Sequence, residues 1–146
     1  LYDYYGNRVE FFPIVDTLRK DYAYYGEIGL RQISAEIFYW PEFNIWAFGR
    51  LAWDPAIPLR KLAEDFCRVA YRAAAEPMSR FYLTLERWKW EWPRHRAELE
   101  PLLAEAEAKA VGDPTVMAKL KRLRKVLATE PTKTWDHPKP PPALSD

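Results

Sequence analysis

From Pro41 to Leu127 the apolar residues recur at helical spacing, and prolines and glycines cut the run into segments. No other feature constrains the fold as much, because residues three and four apart share one face of a helix. Ile45, Phe48, Gly49 and Ala52 predict one such face, ended by Trp53-Asp54-Pro55. Leu59, Leu62, Phe66, Val69 and Ala70 predict a second helix between Pro58 and Arg72. The next runs from Ala74 to Trp92 with Met78, Phe81, Tyr82 and Leu85 inward; Pro77 fits its first turn and Pro93 breaks it. Arg94 to Ala110 carries Leu99, Leu102, Leu103 and Ala106. Gly112-Asp113-Pro114 then places a helix stop, an N-cap and a first-position proline in succession. Val116, Leu120, Leu123 and Leu127 predict the last helix.

The start of the chain reads differently. Leu1 to Gly6 is short and aromatic and suits a strand. Pro13 can open a helix in which Ile14, Leu18, Tyr22 and Tyr25 keep helical spacing, with Gly26 and Gly29 marking its stop. Leu30 to Phe38 reads as a second strand. A strand, a helix and a strand in this order make a βαβ unit with parallel strands. Two parallel strands leave open edges, so further strands are expected before Leu1 or on another chain, and the isolated chain is expected to aggregate. The predicted class is therefore an α/β fragment, mainly helical. It divides into residues 1–56 (βαβα), a helical extension over 57–128 that ends in a hairpin, and a proline-rich tail over 129–146, extended or disordered.

Composition narrows the function classes. The chain has 146 residues, a net charge of +1 and 29% charged residues, so no global field points to nucleic acid or a membrane. The longest apolar run is too short to span a bilayer. The single cysteine, Cys67, excludes an internal disulfide and reads as a small buried residue. His95 and His137 have no metal-ligating companion at useful spacing, and no phosphate loop, zinc motif or nucleophile elbow is present, so neither a metal nor a cofactor is expected. Lys119, Lys121, Arg122, Arg124 and Lys125 could face nucleic acid. Glu98, Glu100, Glu105 and Glu107 on the preceding helix make a solvated hairpin, acid against base, the better reading.

Glu36 stands out as a lone carboxylate near the end of the second predicted strand. Ligands of parallel sheets bind beyond the carboxyl ends of the strands. There Glu36 could bond sugar hydroxyls or act in acid–base chemistry, and Tyr39 and Trp40 could stack on a sugar ring. Asp3, Tyr4, Tyr5 and Asn7 occupy the equivalent part of the first strand. Against this stands a structural reading, in which an arginine neutralises Glu36 and the aromatics pack a core. Trp88, Trp90 and Trp92 could likewise form a platform, but more often such residues cap a core where helices meet.

Leu51 to Tyr82, "RLAWDPAIPLRKLAEDFCRVAY" followed by "AAAEPMSRFY", resembles the domain of unknown function 4838 family. That family's pattern ends one helix in Leu-x-Trp-Asp-Pro and begins the next with a Leu-x-x-Phe-Cys run that closes near Tyr-Gly. Upstream, "DYAYYGEIGLRQISAE" is similar to its tyrosine-rich helix, glycine turn and strand ending in Glu. The likeness spans Tyr2 to Glu86. Its members are mostly bacterial and resemble glycoside hydrolases. The resemblance implies that Leu1 to Trp53 supplies the last two strand–helix units of a (β/α)8-type barrel, with Glu36 at its mouth and a helical extension beside it. It implies a carbohydrate ligand held by Asp3, Tyr4, Tyr5, Asn7, Glu36, Tyr39 and Trp40, with Glu36 the candidate catalytic group. The remaining barrel strands would come from elsewhere, so this chain alone is not expected to be active, and an export signal would lie upstream of Leu1. One departure is local: the family's Tyr-Gly is Tyr71-Arg72 here. The alternative expectation is a helical protein–protein interaction module with an aromatic docking surface, to which "PKPPP" in the tail could add a polyproline ligand.

Overall fold

A computed structural model describes residues 11, 13–34 and 41–129. Six α-helices follow one another: α1 (Val15–Glu27), α2 (Glu42–Trp53), α3 (Leu59–Tyr71), α4 (Ala75–Trp88), α5 (Arg96–Lys109) and α6 (Pro114–Thr129). Short 3-10 segments, Arg72–Ala74 and Lys89–His95, join α3 to α4 and α4 to α5.

The α/β expectation fails. Among the described residues there is no strand and no sheet, so the segment is not a pair of strand–helix units from a barrel. Leu30 to Ser34, the described part of the second predicted strand, has no regular structure and is exposed. The cause lies in what precedes it. Gly29 adopts φ 73°, and the N–H groups of Gly29 and Leu30 donate to the carbonyls of Gly26 and Tyr25. This double bond pattern is a Schellman cap, which satisfies the last carbonyls of α1 and turns the chain away. Apolar residues beyond such a cap form a strand only if a neighbour offers a ladder, and none of the described residues does.

α4 is the central element and packs against α3 on one side and α5 on the other. Met78, Phe81, Tyr82 and Leu85 are buried as their spacing requires, and so are Val116, Leu120, Leu123 and Leu127 of α6. Phe81 meets Phe11 edge-on at 5.6 Å, and Phe11 meets Trp92 at 5.1 Å. A second aromatic group gathers Phe43, Phe66, Tyr71 and Tyr82, with ring centroids 4.9 to 6.1 Å apart. Such rings supply large buried area, and edge contacts suit their charge distribution.

The inward face of α2 differs from the expected one. Phe43, Asn44, Ala47 and Leu51 are buried, whereas Ile45, Gly49 and Ala52 are exposed. Trp46 packs on Phe66, but Trp53 is 90% exposed. α3 likewise buries Ala63 and Cys67 and leaves Val69 outside.

The α5–α6 turn follows its sequence signals. Gly112 takes φ 93°, and Asp113 accepts the N–H of Val116 at 3.1 Å, ahead of Pro114. Arg124 of α6 donates to both oxygens of Glu107 on α5, each at 2.7 Å.

Candidate functional site

Two polar centres are built into the bundle. The first is Glu86 on α4, only 4% exposed. Its Oε1 accepts the N–H of Val15 at 2.9 Å, and its Oε2 accepts that of Asp16 at 3.1 Å. The N-cap residue of α1 is Ile14, which has no acceptor side chain. Glu86 therefore caps α1 from 71 positions away, satisfying donors that a helix start leaves open. Burial pushes its carboxyl up to about 7, against the two backbone donors and Lys89, which pull it down. Lys89 reaches the same place and contacts the Thr17 hydroxyl at 3.4 Å.

The second centre is a pair of phenols. The hydroxyls of Tyr71 and Tyr82 lie 2.7 Å apart, and the side chains are 3% and 8% exposed. Burial raises both phenols above their ordinary range, so both stay protonated at neutral pH. Together with Pro41, Glu42, Lys119, Arg122 and Leu123 they line a recess of about 10 Å³, room for one water. Lys119 bridges its rim: its Nζ lies 2.7 Å from Glu42 Oε2 and 5.9 Å from the centre of the Tyr71 ring. Cys67 is buried nearby, and desolvation pushes its thiol well up.

The outer surface carries the remaining candidates. Trp88 and His95 stack face to face at 3.3 Å and 5°. Glu98 holds both, accepting the indole N–H at 3.1 Å and touching His95 Nδ1 at 3.0 Å. Trp92 is buried in the core, so this tryptophan segment closes the helix junction at least in part. Of the basic residues of α6, Lys119 and Arg124 pair with Glu42 and Glu107.

All seven residues expected to hold a sugar, namely Asp3, Tyr4, Tyr5, Asn7, Glu36, Tyr39 and Trp40, lie outside the described residues, as does the "PKPPP" motif. Among the described residues there is no sheet whose mouth could gather them. Sequence reasoning missed Glu86 and the Tyr71–Tyr82 pair. Glu86 shares the inward face of Phe81, Tyr82 and Leu85, and a carboxylate on such a face was the available signal. Among the described residues no group of three or more His, Cys, Asp or Glu could hold a metal, and no helix is long and apolar enough to cross a membrane.

A helical bundle organised on α4, with its polar groups used to join helices, defines the class by its scaffold. Residues 1–84 match the family described as a domain of unknown function, DUF4838, and the chain belongs to that family. The match ends inside α4, so α5 and α6 lie beyond it. No curated protein and no solved structure matches the chain.

Proposed function

We propose that this chain is a helical protein–protein interaction module whose docking surface lies on α1, α2 and the segment after α1. The observation that carries this reading is an exposed apolar run: Tyr24, Ile28, Leu30 and Ile33 are 36–57% exposed within ten positions. Scattered apolar residues are normal on a surface, but a run of four large ones is a candidate contact. Trp53, at the end of α2, adds an aromatic of the kind that anchors interfaces. Arg19 Nε, Tyr22 Oη and Trp46 Nε1, all on α1 or α2, are buried with no hydrogen-bond partner among the described residues. Buried donors without acceptors are costly, so these groups mark α1 and α2 as incompletely satisfied among the described residues.

The test uses the intact chain. Sedimentation velocity and binding of an apolar fluorescent dye should report concentration-dependent association and an accessible apolar patch. A double variant, Ile28→Lys with Leu30→Lys, should lose both while keeping its helical circular dichroism. A wild-type chain that stays monomeric and binds no dye rules the module out. One observation favours a second reading as well: an indole as open as that of Trp53 can also serve as a sugar platform. Saturable quenching of tryptophan fluorescence by oligosaccharides would support a carbohydrate role. Its loss in Trp40→Ala would locate the contact at the residues expected from sequence, and its loss in Trp53→Ala at α2.

A further inference from the structure

We propose that the turn between α3 and α4 is a hinge through which two copies of this chain exchange α1 to α3, giving a domain-swapped dimer. The hinge is separate from the docking surface proposed above. The case starts from the backbone of Arg72, which adopts φ 51° and ψ −113°. That combination lies outside the small left-handed well open to residues with a side chain, and glycine alone enters it freely. Such a residue is strained and persists only where its surroundings hold it. The ion pair of Arg72 with Asp113 at 2.7 Å is one restraint, but the arginine side chain is 63% exposed there, so water screens the pair.

The sequence of the turn adds to the strain. Residues 71 to 75, Tyr-Arg-Ala-Ala-Ala, hold no glycine, proline, asparagine or aspartate, and alanine is the strongest helix former. Three residues, Arg72–Ala74, connect helices of 13 and 14 residues that pack against each other. A short connection under strain favours exchange: opening relieves the strain, and the released half meets the same partner surface on a second copy. Only the backbone near Arg72 has to turn. Pro77 keeps its place in the first turn of α4, whose N–H groups have no helical acceptor.

Contacts that cross the hinge are then remade between chains. Phe66 on α3 meets Tyr82 on α4 at 5.5 Å, Glu86 accepts the N–H of Val15, and Lys119 reaches Glu42. Each links one side of the hinge to the other, so the swapped dimer repeats the core of the monomer and sheds the strain of two Arg72 residues. Lys89 has a similar backbone at the end of α4, φ 47° and ψ −122°. Its connection is pinned instead, because Trp92 within it is buried on Phe11 at 5.1 Å and Pro93 stiffens it.

Refolding the full chain from urea at low and at high protein concentration, followed by size-exclusion chromatography after dilution, tests this. High concentration should yield a dimer that persists on dilution, since separation requires the two halves to part. The same dimer should form in the Ile28→Lys, Leu30→Lys double variant. Arg72→Gly relieves both strained residues in the monomer and should lower the dimerisation constant, read after equilibration in moderate urea, by about tenfold or more. Lys89→Gly should leave that constant unchanged. In a dimer refolded from isotope-labelled and unlabelled chains, isotope-filtered contacts should join Phe66 of one chain to Tyr82 of the other. Refolding that gives only monomer, a dimer that disperses on dilution or is lost in the lysine double variant, Phe66–Tyr82 contacts confined within chains, or an equal response to Arg72→Gly and Lys89→Gly overturns the proposal.

Discussion

Glu86 makes the fold's stability depend on pH in a direction opposite to that of most paired carboxylates. Its carboxyl is pushed by burial from an ordinary 4.5 to about 7, while Val15 N–H, Asp16 N–H and Lys89 pull the other way. Below pH 4.5 both the folded and the unfolded chain hold the proton, and the stabilising difference is fully present. As pH rises from 4.5 toward 7 the unfolded chain releases the proton while the folded chain keeps it. The folded state then binds more protons, so stability falls with pH and levels off above 7. At 1.36 kcal/mol per unit, this difference amounts to roughly 3 kcal/mol, a large share of a typical stability of about 5–15 kcal/mol. The ion-paired carboxylates act elsewhere. Asp65, held down by Lys61, Glu105, held down by Lys109 and Arg80, and Asp113, held down by the Val116 N–H and Arg72, lose their contribution below about pH 4. Urea denaturation followed by circular dichroism at pH 4.5, 5.5, 6.5 and 7.5 reads the slope. Glu86→Gln should remove it; that variant keeps one acceptor for α1, loses the other, and so should be less stable than wild type at pH 5 by about 1–3 kcal/mol. A flat wild-type profile across this window, or the same slope in Glu86→Gln, refutes the assignment.

Three further outcomes follow from packing and backbone geometry. Arg72 adopts φ 51°, a conformation that favours glycine, so Arg72→Gly should be more stable than Arg72→Ala by about 1 kcal/mol in thermal melts, the reverse of the order within a helix. Phe81→Ala should lose about 3–5 kcal/mol, because its ring is fully buried against Phe11 and Tyr82, whereas Trp53→Ala should stay within about 0.5 kcal/mol in the same denaturation assay. Cys67 should resist a thiol reagent at pH 8 in the folded protein and react once the chain is unfolded in urea; fast reaction in the native state would show that α3 is not packed on α4 as described.

The helices were legible where one apolar stripe met one packing partner. Val116, Leu120, Leu123 and Leu127 form such a stripe, and all four are buried. The Asp113 cap was equally legible, since it depends on residues adjacent in sequence. α2 was misread because it is apolar on several sides: with Phe43, Ile45, Trp46, Phe48 and Leu51 all available, spacing alone does not say which side faces α1 and α3. The strand after Gly29 was misread for a different reason. Leu30 and Ile33 carry the composition of a strand, but pairing is a property of a neighbour, and the Schellman cap explains the glycines without a sheet. Glu86 and Tyr82 could be placed on an inward face, yet their partners, Val15 and Tyr71, are named only by tertiary packing. Arg72 shows the converse. Its backbone takes φ 51°, a conformation that favours glycine and that helical spacing does not announce, and Arg72 is tied across to Asp113 at 2.7 Å.

Backbone chemical shifts of the intact chain, with contacts between the Phe11 and Phe81 rings, measure the organisation directly. Helical shifts are expected throughout α1 to α6, with no cross-strand contacts from Leu30 to Ser34 and with a Phe11–Phe81 contact. Extended shifts at Leu30 to Ser34 together with cross-strand contacts from those residues would contradict it and restore a sheet.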